Sequence, residues 1–70
     1  MNTYTKNEAS IRAWILGNAS DHIDPLTDEY NCTGLAEDAI IEFEELGLDD
    51  EVYFELAVEV VTKIERNQLQ

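Results

Sequence analysis

Sixteen carboxylates against four Lys and Arg in seventy residues give a formal charge of −12 and a pI near 4.1. A chain so charged is not expected to bind nucleic acid or an anionic membrane directly, because like charges repel at long range. At 44% hydrophobic it is nonetheless too apolar to be an acidic disordered tail, and its length predicts a single domain with a small core.

The opening residues, MNTYTKNEAS, contain no basic region followed by an apolar run, so neither a secretory signal nor a transit peptide is expected. No apolar run approaches the length of a membrane span. A reduced, cytoplasmic setting fits best, and Asn18-Ala19-Ser20 and Asn31-Cys32-Thr33 then match the glycosylation pattern by chance. The single cysteine, Cys32, excludes an internal disulfide, which leaves oligomerisation, a homodimer included, as a further source of stability.

Thr5-Lys6-Asn7-Glu8 fits a capping box, in which hydroxyl and carboxylate satisfy free backbone donors at a helix start. Ile11, Trp14 and Ile15 follow at i, i+3 and i+4, so a first helix is predicted over 6–17, ending left-handed at Gly17-Asn18. From Asn18 to Asn31 turn formers dominate, and Asp24-Pro25 favours extended backbone before the proline. This stretch reads as a long loop, tied down by Ile23, Leu26 and Tyr30 or else functional, with room for a short helical turn or a small hairpin.

Asn31 or Thr33 can cap a second helix over 33–46, whose apolar stripe is Leu35, Ala36, Ala39, Ile40, Phe43 and Leu46 before Gly47. Leu48 is placed for the apolar contact of a Schellman-type end. Asp49 or Asp50 then caps a third helix over 50–67, with Val52, Tyr53, Leu56, Ala57, Val60, Val61 and Ile64 on its apolar face. Frequent β-branched residues make a strand over 58–64 the competing reading, but the spacing and the flanking glutamates favour helix. The expected fold is all-α: a small three-helix bundle with a long loop between helices one and two, and Trp14, Phe43, Leu46, Tyr53, Leu56 and Val60 carrying much of the core.

No motif for chemistry emerges. With sixteen carboxylates some pair always lies at a suggestive distance, so abundance removes the signal of an acid–base pair, and a bundle this small has little volume for a dry cleft. His22 and Cys32 are too far apart in sequence to imply a nucleophile and its base. Asp21-His22-Ile23-Asp24 offers metal donors without the alternating acids, central glycine and terminal glutamate of a calcium loop. The glycines follow no phosphate-loop spacing. A non-enzymatic protein without metal or cofactor is expected.

The charge distribution carries the functional clue. Between Asp21 and Glu59 lie fourteen of the carboxylates and no Lys or Arg, so His22 is the only residue there able to become a cation. On helix two, Asp38, Glu42 and Glu45 recur at i, i+4 and i+7; on helix three, Glu51, Glu55 and Glu59 at i, i+4 and i+8. Like charges one turn apart cost roughly 0.2–0.5 kcal/mol per pair, and mixed charge would keep the protein soluble more cheaply. An acidic contact surface accounts for the arrangement, although plain solvation of an acidic protein would use the same residues. Carboxylates one turn apart rise about 6 Å, against one charge per about 1.7 Å of duplex DNA, so both stripes and the loop acids would be needed to imitate a nucleic-acid backbone.

In size, charge and lack of catalytic machinery the whole chain resembles the small acidic inhibitors of phages and mobile elements, the DNA-mimic antirestriction and anti-CRISPR proteins. The resemblance is one of composition, and no site residue is carried over from it. It implies a phage anti-defence inhibitor that binds a basic, nucleic-acid-handling protein or complex and blocks its nucleic-acid site. The charge pattern itself puts the contact at Asp38, Glu42, Glu45, Glu51, Glu55 and Glu59, assisted by Asp24, Asp28 and Glu29, with Tyr30 as an exposed anchor. The alternative is a small oligomerising adaptor or antitoxin-like regulatory module that binds through an apolar helix face while its acids keep it soluble.

Overall fold

Ile11 and Ile15, one helical turn apart, are 0% exposed in the computed structural model, which describes residues 8–67. They form the buried stripe of α1, Glu8–Asn18. The predicted start at residue 6 and the capping residues Thr5, Lys6 and Asn7 lie outside the described residues. The left-handed end expected at Gly17-Asn18 does not form. Asn18 keeps right-handed backbone (φ −111°, ψ −2°), and a 3-10 turn, Ala19–His22, continues from it. The apolar stripe explains why, since Ala19 follows Ile15 by one turn and is itself buried. The Asn18 side-chain amide folds back on the last turn and donates to the Trp14 carbonyl at 2.8 Å.

The stretch is not a long structureless loop: it holds both a short helical turn and a small hairpin, for which the sequence left room. After the 3-10 turn come β1, Ile23–Asp24, and β2, Glu29–Tyr30, an antiparallel pair with Ile23 opposite Tyr30 and Asp24 opposite Glu29. Asp24 organises the connection. Its carboxylate accepts from the Leu26 N–H at 2.8 Å and its carbonyl from the Asp28 N–H at 2.7 Å, while Asp28 takes the left-handed conformation (φ 61°) that aspartate tolerates better than most residues. Of the residues expected to tie this stretch down, Tyr30 packs partly buried against the core, Ile23 is 36% exposed, and Leu26 at the hairpin tip is 92% exposed.

Asn31 caps α2, Cys32–Glu42, by accepting from the Gly34 N–H at 3.0 Å. A side chain on Gly34 would stand 2.8 Å from the Asn31 amide nitrogen, so this cap needs the glycine. The expected stripe is observed, with Leu35, Ala36, Ala39 and Phe43 buried and Ile40 and Leu46 packed on the core edge. α2 stops earlier than residue 46. In a continuing helix the Phe43 carbonyl would receive the Gly47 N–H; instead it receives the Leu46 N–H at 3.0 Å and the buried Tyr53 hydroxyl at 2.8 Å. Residues Glu44–Leu46 therefore tighten into a second 3-10 turn, closed by Gly47 at φ 64°.

α3, Asp50–Glu65, follows with Asp49 in the extended cap position, although its side chain makes no cap hydrogen bond. The helix runs straight through the β-branched stretch because Tyr53, Leu56, Ala57, Val60 and Val61 share one buried face. It ends before residue 67, with Asn67 in the left-handed conformation (φ 57°). The architecture is thus a three-helix bundle with one minimal hairpin. Trp14 meets Phe43 edge to face, ring centroids 6.3 Å apart at 89°, and with Leu46 it borders the core instead of filling it.

Tyr53→Phe removes the hydroxyl but leaves the Phe43 carbonyl its Leu46 donor, so the expected loss is about 1 kcal/mol, read as a lower urea midpoint with unchanged slope.

Candidate functional site

The position of each predicted contact follows from the corner. α2 and α3 run antiparallel, joined at the Tyr53–Phe43 bond, and at the far end Glu65 of α3 lies close enough to Cys32, the first residue of α2, to raise its thiol pKa after burial itself. The acids of the two helix ends adjoining the corner therefore come together. Glu42, Glu44, Glu45, Asp49, Asp50 and Glu51, six of the ten residues 42–51, are all exposed there. Glu55 is exposed one turn further along α3. Of the predicted contacts, the corner thus gathers Glu42, Glu45, Glu51 and Glu55. Glu44, Asp49 and Asp50 belong to the same cluster; in the sequence Asp49 and Asp50 read only as capping residues.

The hairpin acids do not join them. Asp24, Asp28 and Glu29 lie in the hairpin that precedes α2, and the eleven residues of that helix, about 16 Å long, run between the hairpin and the corner. The single acidic field expected from two stripes and a loop is instead two fields, one at each end of α2. Tyr30, expected as an exposed anchor, is partly buried and packed against the core.

Two further members are engaged within the fold. Glu59 accepts from Arg12 of α1 in a fork, Nε to Oε2 at 2.7 Å and Nη2 to Oε1 at 3.3 Å, and Lys63 Nζ lies 3.4 Å from the same Oε2. Glu8 Oε1 stands 3.7 Å from Arg12 Nη2. The Arg12 hydrogen bond holds the Glu59 carboxyl below the usual glutamate range, and the guanidinium is stabilised in its charged form in return. Asp38 is met by His22, whose Nε2 lies 2.6 Å from Asp38 Oδ2. Arg12, by tertiary contact from α1, and Lys63, from the next turn of the same helix, thus neutralise part of the third-helix stripe.

Arg12, Glu59 and Lys63 also border a groove of about 120 Å³ between α1 and α3, floored by Ala13, Leu16 and Val60. The charges on this face balance one another, unlike those at the corner. His22 and Cys32 do not pair as base and nucleophile in this arrangement: the ring nitrogens face Asn18 and Asp38, and burial pushes the thiol up. Among the described residues no group of three His, Cys, Asp or Glu is arranged to hold a metal ion. No helix among them is long and apolar enough to cross a membrane. Comparison with family models, curated proteins and solved structures returns no match.

The Arg12–Glu59 pair is about one-third exposed on both sides, so screening limits its worth. A double-mutant cycle with Arg12→Met and Glu59→Gln should give a coupling of about 0.5–1 kcal/mol that shrinks in molar salt. Because the folded carboxyl is depressed, its contribution is complete above the unfolded glutamate value of about 4.3 and is lost as pH falls through the lower folded value.

Proposed function

We propose that the protein is a non-enzymatic inhibitor that presents its acidic corner to the basic surface of a nucleic-acid-handling protein or complex and blocks the site where nucleic acid binds. The observation carrying this reading is the run of exposed carboxylates from Glu42 to Glu51. It occupies the end of the α2–α3 hairpin away from Lys63 and Arg66, while Arg12 and Lys63 converge on Glu59. Six acids within ten residues are denser along the chain than acids spaced one turn apart on a helix face, and so come nearer to the charge density of a phosphate backbone. Glu42, Glu45, Glu51 and Glu55 are the principal contacts. Asp38 and Glu59 contribute less, since Asp38 is engaged by His22 and Glu59 by Arg12 and Lys63. Asp24, Asp28 and Glu29 form a second, separate contact. A phage anti-defence protein acting in the host cytoplasm would have this character.

One observation favours the other reading, an oligomerising adaptor or antitoxin-like module. Phe54 and Val58, at i and i+4 on α3, are 43% and 39% exposed, a short apolar strip of the kind an adaptor helix would use.

Salt and charge placement separate the two. In a pull-down from bacterial lysate, Glu42→Lys, Glu51→Lys and Glu55→Lys together should abolish capture of nucleic-acid-binding complexes. A control with the same change in net charge, Glu8→Lys, Asp21→Lys and Glu65→Lys, should retain it, and high salt should release the wild-type complex. Equal capture by both variants would eliminate the corner as the contact. Capture that persists in high salt and is lost in Phe54→Ser would replace mimicry with the apolar interface.

A further inference from the structure

His22 joins three elements. Its backbone carbonyl accepts from the Asn31 N–H at 2.6 Å, across the base of the hairpin. Its ring Nδ1 lies 3.0 Å from the Asn18 carbonyl oxygen at the end of α1, and Nε2 lies 2.6 Å from Asp38 Oδ2 in the middle of α2. The ring edge also passes close to Gly34, where an added side chain would come within 3.5 Å of Cδ2.

Both nitrogens therefore face oxygen acceptors. A neutral imidazole carries one N–H. If Nε2 holds it, the Nδ1 lone pair opposes the Asn18 carbonyl; if Nδ1 holds it, the Nε2 lone pair opposes a carboxylate at hydrogen-bond distance. Only the imidazolium donates to both. The charged groups around it are Asp38 from α2 and Asp21 from its own turn, both acidic, while Asn18, Asn31 and Gly34 are neutral.

We propose that His22 is a proton-dependent latch that ties the 3-10 turn at the base of the β1–β2 hairpin to α2 while its ring is charged and loosens that base, and the hairpin with it, when the ring loses its proton. The latch is independent of what the acidic corner binds. The Asp38 hydrogen bond, followed by that to the Asn18 carbonyl, outweighs burial and raises the ring above the usual histidine value of about 6.5. The sign follows. The latch is fully engaged below that unfolded value and is lost as pH climbs through the raised folded one, so the hairpin is held in mildly acidic solution and released on the alkaline side. What is released is a segment carrying Asp24, Asp28 and Glu29, the second of the two acidic fields.

The test is a ¹H–¹⁵N NMR titration from about pH 5 to about pH 9, the range in which histidine switches, following the His22 ring, the Asn31 amide and the amides of residues 23–30. The expected result is one shared midpoint above that of an unfolded histidine peptide, with core amides such as Ala57 and Val60 unmoved. Asp38→Asn, at a half-exposed position that the core does not need, should move the shared midpoint down. His22→Ala should leave the hairpin signals at their released positions throughout, with no step. Hairpin amides that stay flat while the wild-type ring titrates would overturn the latch, as would an Asp38→Asn protein with an unmoved midpoint. If Asp38→Asn fails to fold, co-titration or its absence in the wild type decides.

Discussion

The Tyr53 hydroxyl, donating to the Phe43 carbonyl across ten residues of chain, is the constraint on which the rest of the arrangement depends. By occupying that carbonyl it favours an early stop for α2, and the tightened turn that follows puts Glu44 and Glu45 in the connection that leads into Asp49 and Asp50. Had α2 continued to Leu46 as an ordinary helix, the same acids would have been spread around a longer cylinder. The crowding of charge at the corner is therefore a product of core chemistry: a buried phenol needs an acceptor, and the nearest useful one ends a helix.

Charge then sorts itself by position along the hairpin. Six exposed acids in ten residues repel one another and work against the compact state. Asp50 and Glu51, in the first turn of α3, recover part of that cost by lying near exposed backbone N–H groups at the positive end of a helix. Further along, Arg12 and Lys63 gather on Glu59, so the face shared by α1 and α3 is locally balanced. A chain of net charge −12 thus has one face on which Coulomb energy is favourable and a corner on which it is not. A cluster whose repulsion folding relieves only in part is one that a cationic partner can relieve further.

The helices were legible because each announces itself locally. Ile11 and Ile15, or Leu35, Ala39 and Phe43, recur at helical spacing, and that period survives whatever packs against it. Gly47 was legible as a left-handed helix terminator for the same reason. The hairpin was less so: two residues per strand give no alternation to detect, and its turn is set by one carboxylate, Asp24, hydrogen-bonding its own neighbourhood. The site residues divided along the same line. Exposure of Glu42, Glu51 and Glu55 follows from their phase on a helix. The capture of Glu59 by Arg12 spans 47 residues and that of Asp38 by His22 spans 16, and no local pattern specifies which flank of one helix will face another.

The two acidic fields left at opposite ends of α2 make that helix a ruler. Its length, about 16 Å, is fixed by backbone hydrogen bonds and by a buried face, so while His22 holds the hairpin the fold itself sets the separation of the charged ends. A surface with a single basic site can engage either end, but only one at a time. A surface whose basic sites are spaced to match can engage both, the second contact forming at the high effective concentration that the first one creates. In such an encounter selectivity comes from a distance, set by eleven residues of helix, as much as from the number of charges.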